Sequence, residues 1–149
     1  MNYSSIVKLL TEHGIASASN DAAELISHFN GKPPSWCLAN RDQNLPPEIT
    51  KAAERLAAGT PLQYITGRAW FMGDKYFVSP DVLIPQPDTE HLAEAALKHL
   101  KPGMRLLDLC TGSGCIIISV LKRVIASGTG VELSAPALAV ARRNAEIHK

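Results

Sequence analysis

Residues 106–118, "LLDLCTGSGCIII", join two apolar runs through an acid and a loop of small residues. This order predicts a buried strand, a tight turn and a helix. Gly112 and Gly114 let the backbone turn sharply and let a ligand approach it without a Cβ in the way. The helix that follows presents unpaired N–H groups at its N-terminus, which favour an anionic group. The pattern therefore predicts a nucleotide-like ligand at the turn.

Two strands and two helices are predicted around this turn. The strands cover "RLLDLC" (105–110) and the region near "GTGVEL" (128–133), and the helices cover "CIIISVLKRVI" (115–125) and "SAPALAVARRNAEIHK" (134–149). Almost continuously apolar strands that alternate with helices are typical of a parallel, doubly wound α/β sheet. Because adjacent parallel strands end at one edge, Glu132 is predicted beside the glycine loop, where its carboxylate can accept both hydroxyls of a ribose.

The glycine spacing distinguishes between the ligands that such a loop holds. A dinucleotide site usually has the pattern G-x-G-x-x-G, whose third glycine lets the helix pack closely on the strand. Ile117 stands at that third position, which disfavours a pyrophosphate and favours S-adenosylmethionine. Asp108 also suits S-adenosylmethionine, because an acid there can organise the loop and face the cationic part of the ligand. A dinucleotide and a ligand-free structural turn remain the alternatives.

The chain divides into three regions by composition. Residues 1–59 have helical periodicity with glycine and proline stops, and predict a small helical bundle. Residues 60–87 are rich in aromatic and β-branched residues between glycines and prolines, and predict a β-hairpin and an extended linker. Residues 88–149 open on a helix and continue into the α/β unit. That first helix is predicted to bury a stripe of three residues, Leu92, Ala96 and Leu100.

Charge and composition exclude several classes of protein. The 149 residues have a formal net charge of +1 and no cationic run longer than a pair, so avid nucleic-acid binding is not indicated. No apolar run reaches the roughly 18 residues of a membrane span, and the N-terminus lacks the pattern of a signal peptide. The three cysteines lack metal-ligand spacing, which predicts free thiols, no metal site and a cytoplasmic protein.

Four segments together resemble the HemK-type protein-glutamine methyltransferases: "PLQYITG", "VSPDVLIPQPDTEHLAEAAL", "LLDLCTGSGCI" and "GVELSAPALAVARRNA". The resemblance covers essentially the whole chain. It implies an N-terminal helical domain, a β-hairpin linker and the first half of a doubly wound, Rossmann-like methyltransferase domain. It also implies that S-adenosylmethionine is the cofactor. The protein substrate would be a peptide-chain release factor, methylated on the glutamine side-chain amide of its Gly-Gly-Gln motif.

The resemblance also implies roles for individual residues. Segment 85–90 would lie close to the cofactor, and the N-terminal helices would help to hold the release factor. For Thr89 and Glu90, helix capping and first-turn charge compete with ligand contact. The family usually has Arg where this chain has Gln86, which removes a fixed positive charge near the site. The residues implied to bind the cofactor are Asp108, Cys110, Thr111, Gly112, Ser113, Gly114 and Glu132.

The family's catalytic motif, Asn-Pro-Pro-Tyr, does not occur in this chain. No catalytic residue is therefore assigned, and the chain is expected to correspond to the N-terminal half of such an enzyme and to be inactive alone. A two-stranded half-domain is expected to expose a sheet edge and apolar helix surface, "IIISVL" (116–121) in particular, and to associate. A ribosomal-protein glutamine methyltransferase and a non-catalytic release-factor adaptor remain alternatives.

Overall fold

Only helices and loops build the first of two units in this computed structural model, which describes all residues 1–149. The units are Met1–Thr66 and Gly67–Lys149. None of the helices in either unit combines the length and apolar content needed to cross a bilayer. The helices of the first unit are α1 (Tyr3–Glu12), α2 (Ala18–Asn30), α3 (Ser35–Ala39), α4 (Pro47–Ala57) and α5 (Leu62–Thr66).

The ends of these helices follow from local sequence. At the start of α1, Asn2 and Ser5 form a reciprocal capping box, with both hydrogen bonds at 2.9 Å. Pro46 and Pro47 begin α4, where a missing N–H costs nothing. One apolar face of each longer helix then closes a shared core. Fully buried members of this core include Ile6, Leu10, Ala22, Leu25, Ile26 and Ala53.

Helix α5 departs from the extended structure predicted for residues 60–87. Leu62 is buried in the helical core and Ile65 packs against it, so this segment completes the first unit. Thr66 donates its hydroxyl to the Leu62 carbonyl oxygen at 3.0 Å, a bond that fits a helical turn. Tertiary packing of one apolar face has overridden the β-type composition of the segment.

The second unit mixes helices with two small sheets. Strands β1 (Arg68–Phe71) and β2 (Asp74–Phe77) form an antiparallel hairpin, and β3 (Arg105–Leu109) and β4 (Ser127–Val131) form a parallel pair. The helices are α6 (Pro87–His99), α7 (Cys115–Leu121) and α8 (Ala135–Ile147). Since α7 connects β3 to β4, these three elements form a strand–helix–strand crossover, as the alternation in the sequence predicts.

The hairpin turn is held from two sides. Met72 and Gly73 both have positive φ, 52° and 80°, as the central residues of a type I′ turn do. The Met72 N–H donates to Glu90 Oε1 at 2.7 Å, and Arg123 donates to the Met72 carbonyl oxygen at 2.5 Å. Lys122 also donates to Asp74 Oδ1 at 2.6 Å. Glu90 of α6 and the two residues that follow α7 thus fix a turn in which Met72 has a left-handed backbone conformation.

One expectation about apolar surface is wrong only in part and another is wrong: of the predicted stripe, Ala96 and Leu100 pack against the core cluster but Leu92 does not. Ala93, not Leu92, faces the core of α6: Ala93 is fully buried and Leu92 is 59% exposed. Ala93 packs in one cluster with Val120 of α7, and that packing sets which face of α6 points inward. The apolar helix α7 is covered as well, because the hairpin, α6 and α8 surround it. Exposed apolar side chains lie instead on the strands, at Leu107 and Leu109.

Tyr76 carries a pH dependence of stability. It is 1% exposed, and its hydroxyl lies 2.6 Å from Ser119 Oγ. Burial raises the pKa of Tyr76 to about 12, although the hydrogen bond with Ser119 opposes this shift. The raised pKa contributes stability that is complete below the unfolded value near 10 and is lost as the pH rises towards 12.

We therefore expect the second unit to lose about 2 kcal/mol of unfolding free energy between pH 10 and 12 through this group. Urea titrations at several alkaline pH values measure the loss. Tyr76→Phe removes the ionisable group and should flatten this part of the profile. An unchanged slope in Tyr76→Phe would show that other groups cause the alkaline destabilisation.

Candidate functional site

The glycine loop reverses the chain between β3 and α7 in left-handed backbone conformations. Gly112 and Gly114 have φ of 55° and 79°, and Cys110 has φ of 60°. A side chain at such a φ costs about 1–2 kcal/mol, so the Cys110 backbone is held there by its surroundings. Cys110 is an exposed free thiol, whereas Cys115 at the start of α7 is buried, and burial raises the pKa of its thiol.

Asp108 and Thr111 organise the loop from the strand side. Thr111 donates its hydroxyl to Asp108 Oδ2 at 2.7 Å and its N–H to the Val131 carbonyl oxygen at 3.0 Å. Thr111 is only 8% exposed. It packs over Gly130, where a Cβ would lie 3.1 Å from the Thr111 hydroxyl oxygen. The acid at the end of β3 therefore acts directly on the loop conformation.

Glu132 meets the loop at the end of β4. Its Oε2 accepts the Gly112 N–H at 3.0 Å, and its Oε1 accepts the Ser134 N–H at 3.0 Å. These hydrogen bonds hold the pKa of the Glu132 carboxyl below its ordinary value, and the bond from the Ser134 N–H has the largest effect. The carboxylate is thus ionised at neutral pH, and it lies beside the loop as the parallel-strand argument predicts.

Sequence reasoning missed one residue of this arrangement, Asn144 of α8. Its side chain is fully buried and donates Nδ2–H to the Ser113 carbonyl oxygen at 2.8 Å. Ala141, one turn earlier, lies against Gly114, where a Cβ would come 3.4 Å from the Ala141 Cβ. The signal was present: Ala137, Ala141 and Asn144 share one helical stripe, and an amide in a buried stripe requires partners.

Two side chains of segment 85–90, those of Gln86 and Glu90, form hydrogen bonds within the second unit. Gln86 precedes α6 and donates its side-chain amide to the Ile84 carbonyl oxygen at 3.0 Å. Glu90 is occupied by the hairpin turn, as described above. The contact between Glu90 and Met72 gives this acid a structural partner that the sequence did not indicate.

A cavity of about 450 Å³ lies between the glycine loop, α7, β4 and α8. Three predicted cofactor residues reach its wall, namely Thr111, Gly114 and Glu132, and most of the remaining lining comes from α7, β4 and α8. Cys110, Gly112 and Ser113 do not line the cavity, so only part of the predicted cofactor loop faces it. No three His, Cys, Asp or Glu side chains cluster as a metal site would require in residues 1–149.

The fold and the loop define an α/β unit with a glycine loop at the carboxyl ends of parallel strands, preceded by a helical domain. Residues 3–67 match the family model described as the PrmC N-terminal domain, which ends one residue beyond the first unit. The chain belongs to the release factor glutamine methyltransferase family, whose N-terminal part it matches. It spans about half the length of most of the curated relatives it matches.

Three of these relatives illustrate the similarity. The release factor glutamine methyltransferase of Bordetella pertussis is 44% identical over 133 residues, which are 85% of this chain and 49% of that protein. The enzyme of Geobacter sulfurreducens is 39% identical over 144 residues, 93% of this chain and 51% of that protein. The enzyme of Nitratidesulfovibrio vulgaris is 48% identical over 102 residues, covering 67% and 35%.

Proposed function

We propose that this chain is the cofactor-binding and substrate-recognition part of an S-adenosylmethionine-dependent methyltransferase. The acceptor is the glutamine side-chain amide in the Gly-Gly-Gln motif of peptide-chain release factors, and the enzyme is cytoplasmic. In this proposal residues 1–66 hold the release factor, and residues 105–149 form the first half of a Rossmann-like domain. The observation that carries the proposal is the contact of Glu132 with the Gly112 N–H at the ends of two parallel strands.

The residues of the loop suit this cofactor. Each Glu132 oxygen accepts one backbone N–H, which leaves acceptor capacity for the two ribose hydroxyls. At Gly112 a Cβ would meet no atom closer than 4.0 Å, so the backbone is open to a ligand. Asp108, Cys110, Thr111, Ser113 and Gly114 are proposed to complete the site. When bound, S-adenosylmethionine supplies an electrophilic methyl group on a positively charged sulfur.

The packing of α7 on β4 argues against a dinucleotide. In a dinucleotide site the third glycine of the motif brings the helix close to the strand. Here Ile117 fills that helix position, and the close approach is made by Gly128 of the strand instead. A Cβ at Gly128 would lie 3.0 Å from Ile117 Cδ1 and 2.8 Å from Leu121 Cδ1. A bulky residue at the third position of the motif is thus accommodated by a glycine of the strand.

Direct methyl transfer needs no protein nucleophile, because orientation of the acceptor amide supplies most of the acceleration. In the family, an Asn-Pro-Pro-Tyr motif performs that orientation, and this chain does not contain it. The residues described here therefore bind and place the cofactor, and we assign none of them a catalytic role.

Calorimetric titration of the chain with S-adenosylhomocysteine and, separately, with NADH tests the proposal. We expect binding of S-adenosylhomocysteine alone, weakened about tenfold or more by Glu132→Ala, since hydrogen bonds to a charged group are stronger than those between neutral groups. Glu146→Ala is the matched control, because it removes the same charge from an exposed position of α8 and should leave the affinity unchanged. Preference for NADH, or binding of neither compound, would contradict the proposed site.

A further inference from the structure

The buried amide of Asn144 joins two segments that are distant in sequence. Its Nδ2 donates to the carbonyl oxygens of Phe77 at 2.9 Å and of Ser113 at 2.8 Å. Its Oδ1 accepts the Phe77 N–H at 2.7 Å. One side chain therefore binds both backbone groups at the end of the hairpin and one carbonyl of the glycine loop. Asn144, which makes all three of these hydrogen bonds, is 0% exposed.

A buried amide of this kind needs hydrogen-bond partners, because an unpaired polar group in the protein interior is destabilising. A leucine could pack in the same stripe of α8, but it would remove the partner of the Phe77 N–H and of the Phe77 and Ser113 carbonyl oxygens. Asn144 forms hydrogen bonds with the backbone of Phe77, 67 positions earlier, and with that of Ser113, 31 positions earlier. What the amide adds over an apolar residue is a defined distance between hairpin, loop and helix.

The glycine loop is thereby held at two points. Glu132 binds the Gly112 N–H, and Asn144 binds the carbonyl of the next residue, Ser113. Ser113 is 3% exposed, so its carbonyl has no access to water as a substitute partner. Two residues on the chain after α7 therefore restrain two peptide groups of the loop, 111–112 and 113–114.

We propose that Asn144 is a positioning residue for the cofactor loop, which it orders before the cofactor binds and connects to the end of β2. The inference rests on the proposed function of that loop. Asn144 does not touch the cofactor in this proposal. It acts through the Ser113 carbonyl, and its loss would leave a loop of small residues free to sample other conformations.

Three variants of the full chain separate positioning from general stability. Asn144→Asp keeps the acceptor for the Phe77 N–H but loses both donated hydrogen bonds, and Asn144→Leu loses all three. Phe71→Leu is the matched control, because it weakens the apolar core of the same unit and leaves every hydrogen bond of the loop in place. The first readout is hydrogen exchange of the Thr111, Gly112 and Gly114 amides relative to the amides of β3, without cofactor.

We expect Asn144→Asp to lower the protection of the loop amides about tenfold more than that of β3, and Phe71→Leu to lower both equally. Equal loss at the loop and at β3 in Asn144→Asp would overturn the positioning role, and Asn144→Leu repeats the comparison without a buried carboxylate. The second readout is the affinity for S-adenosylhomocysteine, expected to fall about tenfold in Asn144→Asp. Wild-type chain that fails to bind would contradict the proposed function, whereas equal binding by wild-type and Asn144→Asp would contradict the positioning role alone.

Discussion

Replacement of Phe71 by alanine is expected to lower the unfolding free energy of the second unit by about 3–5 kcal/mol. Phe71 is fully buried and meets Tyr76 edge to face, with ring centroids 6.2 Å apart at 82°. It packs in the cluster that joins the hairpin to α6 and α7. The alanine variant loses apolar contact and leaves a cavity, and these two costs add.

Urea unfolding followed by Trp70 fluorescence measures this effect. Trp70 belongs to the second unit and Trp36 to the first, so a Trp36→Phe background makes the signal specific. Phe71→Leu should cost less than half as much, and Leu92→Ala, at a 59% exposed position, should change the stability by less than about 0.5 kcal/mol. Similar losses in Phe71→Ala and Leu92→Ala would show that the cluster does not stabilise this unit.

Gly114→Ala is expected to destabilise the second unit by about 2–5 kcal/mol, through two costs. The φ of 79° is unfavourable for alanine by about 1–2 kcal/mol. The new Cβ would also lie 2.9 Å from Ile118 Cδ1 and 3.4 Å from the Ala141 Cβ, so α8 or Ile118 must move. Overpacking of this kind typically adds about 1–3 kcal/mol.

Gly73→Ala separates the two costs. Gly73 has nearly the same φ, 80°, but a Cβ there would meet nothing within 4 Å. We therefore expect about 1–2 kcal/mol for Gly73→Ala, the backbone cost alone. Urea titrations in the same Trp36→Phe background compare the two variants. Equal losses would mean that Ile118 and Ala141 yield freely and that α8 does not confine the loop.

Much of the local structure could be predicted because it depends on short-range pattern. The order β3, α7, β4, α8 follows from apolar runs and their spacing, and the turn at 110–114 follows from its glycines. The position of Glu132 beside the loop also follows, since parallel strands end together. Helix α5 could not be predicted in this way, because its aromatic and β-branched composition favours strands and only the core around Leu62 selects a helix.

The sequence by itself determined the elements, the position of the glycine loop and the acid beside it, because each depends on neighbours within a few residues or on the geometry of a parallel pair. Tertiary structure alone decided which long-range partners the polar side chains take. Glu90 binds the Met72 N–H 18 positions away, and Asn144 reaches Phe77 and Ser113. Periodicity shows that such side chains face inward, but a hydrogen bond forms only once docking has brought two distant segments within about 3 Å.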